Sequence, residues 1–166
     1  QVAPTNKDQQ SKPACRQSPF DEFIAFCLSK EGCDYVWPAP SNNYSGKDLK
    51  IAQYKNVYDC SGLITSGLYH ATGGRIDWRS SKNAQALFDA CKTIDKKWPC
   101  LAFYGHSKNM INHVMLVLDE DRVFGACGGG SWCVSPDIAH TKGARVRFRS
   151  HYMYRDDFKG FGEIPI

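Results

Sequence analysis

The chain has 166 residues, 42% hydrophobic and 23% charged, with 21 basic against 17 acidic side chains and a formal net charge of +4. That is the composition of a globular protein, long enough for one compact domain and too short for two comfortable ones. No apolar run approaches the roughly 18 residues that a bilayer crossing needs, and so mild and scattered a charge carries no signature of nucleic-acid binding.

Residues 1–17 are polar and contain two prolines, so they read as an extended arm ahead of a single domain over 18–166. Ser18-Pro19-Phe20-Asp21-Glu22 predicts a helix start, with Ser as N-cap, Pro at the first helical position and acids in the first turn. Phe20, Phe23, Ile24, Cys27 and Leu28 follow at helical spacing, and Gly32 supplies a stop. Residues 33–56 hold two prolines, three Asn and Gly46, which is loop chemistry with Trp37 and the tyrosines on its walls. A second helix opens at Cys60, with Leu63, Ile64, Gly67 and Leu68 on one face, and ends at Gly73-Gly74. A third runs from Ser81 as N-cap to about Cys91.

The period then changes. Cys100–Tyr104, His113–Leu118, Val123–Cys127 and Ala144–Phe148 are short, apolar and β-prone, with a turn at Asp119–Arg122 and a tight loop at Gly128–Ser131. Arg145, Arg147 and Arg149 alternate along the last of these, as on a strand with one charged face. Helices first and an antiparallel sheet after them predict an α+β domain.

Eight cysteines, at 15, 27, 33, 60, 91, 100, 127 and 133, point to an oxidising compartment. Cys27/Cys33, Cys91/Cys100 and Cys127/Cys133 are available as close pairs, although spacing does not set connectivity, and the alternative is that several are small buried hydrophobes. Cys-x-x-Cys pairs and a His-Glu-x-x-His helix are both missing, so no metal or cofactor is expected.

Cys60 stands out because it heads a helix. Free N–H groups and the positive helix end favour a thiolate there, and the N–H groups of Cys60 and Ser61 are placed to cradle an oxyanion. Asp59 opposes thiol ionisation, which suits it better to binding a cationic substrate group. A thiol nucleophile needs a base, and among five histidines His113 opens an apolar strand from which it can face that helix across a cleft. His106 and His151 read as solvent-facing.

Asp59-Cys60-Ser61-Gly62-Leu63, followed by His113-Val114 on a later strand and preceded there by the aromatic pair Phe103-Tyr104, resembles the NlpC/p60 cell-wall cysteine peptidases over roughly residues 18–150. The resemblance implies a papain-like domain with N-terminal helices packed on a central antiparallel sheet. It implies a peptidoglycan hydrolase that cuts an amide bond of the stem peptide, between D-glutamate and the diamino acid, with Cys60 as nucleophile and His113 as general base and then acid. Asp59 and Ser61 would line the pocket for the stem's free amine, and Tyr35 or Tyr44 would stand near the oxyanion.

One departure concerns the residue that orients the imidazole, whose usual slot on the next strand falls at Gly125. A backbone carbonyl, His140 or Ser131 would then take the role, or the enzyme is a dyad. The same scaffold serves Cys-His amidases and acyltransferases, and a degenerate wall-binding module is the non-enzymatic alternative. The implied setting is secreted or cell-envelope, as a monomer, with peptidoglycan as partner. A phage lysin, a toxin with its inhibitor or immunity protein, and an antibacterial factor all fit it.

Overall fold

The computed structural model describes residues 16–38 and 54–166. Tyr44, Cys15 and nearly all of the expected arm lie outside the described residues. Among the described residues there are four helices and eight strands: α1 (Pro19–Leu28), β1 (Asp34–Tyr35), β2 (Val57–Tyr58), α2 (Cys60–Ala71), α3 (Ala84–Ala90), β3 (Thr93–Ile94), β4 (Cys100–Gly105), β5 (Ile111–Asp119), β6 (Arg122–Cys127), α4 (Pro136–Lys142), β7 (Arg145–Arg149) and β8 (Phe158–Gly162).

The fold is α+β, as expected. One sheet runs in the order β2-β1-β7-β6-β5-β4-β8-β3. Its centre, β7-β6-β5-β4-β8, is antiparallel throughout. The helices lie on the face that carries Leu101, Phe103, Val114, Leu116, Phe124, Ala126 and Val146. The opposite face carries Ala102, Tyr104, Met115, Val117 and Val123, and it too is buried, beneath Trp98, Tyr152, Tyr154, Phe158 and Phe161. Cover on both faces explains why β4, β5 and β6 read as unbroken apolar runs and not as alternating ones.

The helix starts follow local chemistry. Ser18 Oγ accepts from the Asp21 N–H at 3.1 Å, as the sequence predicts for α1. Asp59 caps α2, its Oδ1 accepting from the Gly62 N–H at 2.6 Å. The cap of α3 is Asn83, whose Oδ1 accepts from the Ala86 N–H at 2.9 Å; Ser81, expected in that role, is held in the preceding turn by its own N–H on Trp78 O. Helix α4 was not anticipated, although Ser135-Pro136-Asp137 carries the same start signal as α1, and Gly143 ends it in the left-handed conformation.

The short strands β1, β2 and β3, and the glycine-bearing β8, were not anticipated either. Strand β8 nevertheless pairs with β4 along most of its length. Its sequence, Phe-Lys-Gly-Phe-Gly, has little β-propensity of its own, so its state is set by the open edge of β4.

Helix α2 crosses α1 at Gly67. A Cβ there would stand 2.9 Å from Cys27 Sγ and from two ring carbons of Phe23. Gly67→Ala gains helix propensity but overpacks this crossing, so a net loss of about 1–3 kcal/mol is expected, read as a lower melting temperature.

Candidate active site

Helix α2 and strand β5 bring Cys60 and His113 to one cavity of about 740 Å³. Its lining includes Tyr35, Asp59, Ser61, Ser131, Tyr154 and Arg155. Strands β5 and β6 pair only from Leu116 toward their turn. Ahead of that point, near the start of β5, Cys60 lies with Sγ 3.9 Å from Asn112 O and within the influence of the Val114 N–H. The sulfur thus lies against the backbone that flanks His113.

Burial decides the protonation state of both groups. Enclosure, then the neighbouring Asp59 carboxylate, pushes the Cys60 thiol up to about 12, although the N–H groups of Val114, Ser61 and Cys60 itself pull the other way. The helix start therefore acts in the expected direction but is outweighed by desolvation. Burial likewise holds His113 down at about 3, reinforced by the positive charges of Arg155 and Arg149. In the empty cleft the pair is a neutral thiol and a neutral imidazole.

His113 Nε2 lies 2.8 Å from the Tyr154 hydroxyl. Tyr154 belongs to the segment between β7 and β8 that covers the second face of the sheet, and His113 shares that face with Met115 and Val117. Sequence reasoning missed Tyr154. Its only signal is that Tyr152 and Tyr154 alternate directly after the arginine strand.

His140 is placed elsewhere: it is exposed, with Nε2 2.9 Å from Asp34 Oδ1. Ser131 lines the cavity. At Gly125 a Cβ would stand 2.6 Å from Met115 Sδ, so the methionine occupies the space a side chain there would need.

Tyr35 is buried beside Cys60 and Asp59, and burial above all pushes its phenol well above the ordinary value, so that it stays protonated. Gly128–Gly130 wrap closely over it: a Cβ on Gly129 would fall 2.3 Å from the Tyr35 ring, and Gly128 and Gly130 both have positive φ. Arg149, Arg155, Asn112 and Cys127 also line the cavity and had no role in the sequence reading.

The seven described cysteines are all free. Cys27, Cys91, Cys100, Cys127 and Cys133 are buried, so they act as small core hydrophobes. Among the described residues no group of three or more His, Cys, Asp or Glu is gathered to hold a metal, and no helix is long and apolar enough to cross a membrane.

Neither a family sequence model nor a curated protein sequence matches the chain. Solved structures do. NlpC1 of Trichomonas vaginalis superposes with a TM-score of 0.59 at 15% identity, over 93% of this chain and 48% of that one. This chain therefore spans about half the length of that relative. The peptidoglycan hydrolase RipB of Mycobacterium tuberculosis gives a TM-score of 0.59 at 20% identity, over 88% of this chain and 64% of that one. RipD of the same organism, described as a non-catalytic NlpC/p60 domain protein adapted to peptidoglycan binding, gives 0.58 at 16% identity, over 88% and 96%. Helices packed on a largely antiparallel sheet, with Cys60 heading α2 and His113 on β5, are thus the NlpC/p60 fold, and that is the fold of this chain.

Proposed function

We propose that the protein is a peptidoglycan hydrolase that cuts an amide bond of the stem peptide through a Cys60–His113 thiol mechanism. The observation that carries this reading is that both side chains open into one cleft, on the NlpC/p60 fold, with Cys60 Sγ against the backbone around His113.

In this reading Tyr154 accepts from His113 Nε2–H, which leaves Nδ1 unprotonated and able to take the thiol proton as sulfur attacks the carbonyl. The oxyanion meets the N–H groups of Cys60 and Ser61 and the Tyr35 hydroxyl. Collapse of the intermediate breaks the C–N bond, His113 returns the proton to the departing amine, and water hydrolyses the thioester. The neutral resting pair suits a base that acts during attack and not before it. Asp59 and Ser61 receive the free amine of the stem, and the bond between D-glutamate and the diamino acid is the target. The protein works as a monomer in the cell envelope or outside the cell, and an inhibitor or immunity protein is a fitting partner.

Digestion of purified peptidoglycan, with mass spectrometry of the fragments, tests activity and bond together. Fragments ending in D-glutamate support the reading; intact stems after long digestion sink it. Tyr154→Phe removes the hydroxyl that faces Nε2 and leaves packing nearly intact. It should lower kcat by about 10–100-fold with KM little changed.

A second reading is favoured by the buried, protonated state of Cys60 and by the likeness to RipD: a wall-binding domain without turnover. Peptidoglycan pull-down that is equal for wild type and Cys60→Ala, without fragment release by either, would establish it.

A further inference from the structure

The cleft is electrically two-ended. At the Cys60 end its lining carries the Asp59 carboxylate, and at the His113 end it carries the guanidinium groups of Arg149 and Arg155. Arg155 is anchored: its Nε and Nη2 donate to Asp157 at 2.8 and 2.6 Å, and Nη2 also lies 3.3 Å from Asn112 Oδ1.

Arg149 is different. Among the described residues no carboxylate lies within ion-pair distance of it. Its guanidinium carbon sits 4.8 Å from the centre of the Tyr154 ring. Stacking on an aromatic face holds the guanidinium in place and leaves its donor edge for a planar acceptor. Arg145 and Arg147 project from the same face of β7, but of the three only Arg149 lines the cleft.

A half-buried cation with no counter-charge among the described residues, at the wall of a cleft and beside the proposed general base, is a site prepared for an anion. The geometry points to a carboxylate subsite on the leaving-group side, in which Arg149, braced by Tyr154, receives the free carboxylate of the residue whose amine is released. The assignment rests on the proposed roles of Cys60 and His113, because these define which side of the cleft holds the leaving group. Asp59 at the far end repels the same carboxylate, so the two ends together set the direction in which a dipolar peptide lies. A carboxylate bound there also offsets the arginine charge that helps to keep His113 unprotonated, and so strengthens the base once substrate is seated.

The test uses two synthetic tripeptides, L-alanyl-γ-D-glutamyl-diamino acid with a free α-carboxylate on the diamino acid and the same peptide with that group as carboxamide. Binding to the Cys60→Ala protein is measured by calorimetry, so turnover is not required. The carboxylate peptide should bind at least 10-fold tighter than the carboxamide. Adding Arg149→Gln should remove the difference by weakening the carboxylate peptide alone. Arg149→Lys, which keeps the charge, should restore part of it, and Arg145→Gln should leave it untouched. Thermal unfolding verifies that each variant is folded.

Equal binding of the two peptides overturns the subsite, as does a preference that survives Arg149→Gln. A preference lost equally in Arg145→Gln overturns it too, since that is a bulk electrostatic field. If neither peptide binds the Cys60→Ala protein, the stem-peptide reading on which the subsite stands is sunk instead.

Discussion

If the proposed mechanism holds, Cys60→Ala abolishes peptidoglycan cleavage, with an expected loss of at least about 10⁴-fold in kcat/KM and a melting temperature within a few degrees of wild type. The loss is large because the proposed thioester forms on Cys60: Cys127 also lines the cleft but stands on β6 and not at the head of α2, and Ser61 is engaged with Asp59. Stability changes little because the replacement removes one sulfur whose recorded hydrogen bond is long and weak. It also leaves the Asp59 cap of α2 in place. Fragment release by the alanine variant at more than a hundredth of the wild-type rate would remove Cys60 from the mechanism. A collapse of the melting temperature would make it a structural residue instead.

The second large effect is on pH. His113 is held neutral chiefly by burial, with a folded-state value of about 3 against an ordinary one near 6.5. The base form therefore persists as pH falls through 6.5, and the acid limb of kcat/KM should lie below about pH 5. Stability moves with it. Between pH 6.5 and about 3 the unfolded chain takes up a proton at this residue that the folded chain refuses. Stability is therefore fully present above 6.5 and falls by a few kcal/mol as pH drops through that window. His113→Gln abolishes that slope while also stopping turnover. Two measurements check this: the pH profile of kcat/KM, and the difference in melting temperature between wild type and His113→Gln from pH 7 to 4. An acid limb near 6.5, or parallel melting curves for the two proteins, would show a solvated imidazole.

The two outcomes bear on the same physical point. Both groups are buried deeply enough that neither the thiol nor the imidazole carries charge before substrate arrives. Chemistry then depends on groups already aimed at their targets: the N–H groups at the head of α2, the Tyr154 contact on Nε2, and Tyr35 under its glycine loop.

Much of this was legible locally. The α1 start at Ser18-Pro19, the α2 run after Cys60 and the four apolar strands follow from capping chemistry and hydrophobic period, which act over a few residues. The residues of the cleft wall near Cys60 were also readable, because Asp59 and Ser61 are its chain neighbours. Strand β8 was not, since two glycines and a lysine hide a segment whose partner lies more than fifty residues upstream. Tyr154 was not either. Its contact with His113 depends on which face of β5 the imidazole takes and on where the chain returns after β7.

The amino-acid sequence by itself determined the α+β order of elements, the cap that opens α2 and the residue types available for acyl transfer, because each is a short-range matter of propensity and hydrogen bonding. Tertiary structure alone decided the partner on the His113 ring, the neutral state of thiol and imidazole, and the place of Arg149 on the cleft wall against Tyr154. Those depend on burial and on distances between remote segments, and dielectric surroundings exist only once the sheet is covered on both faces.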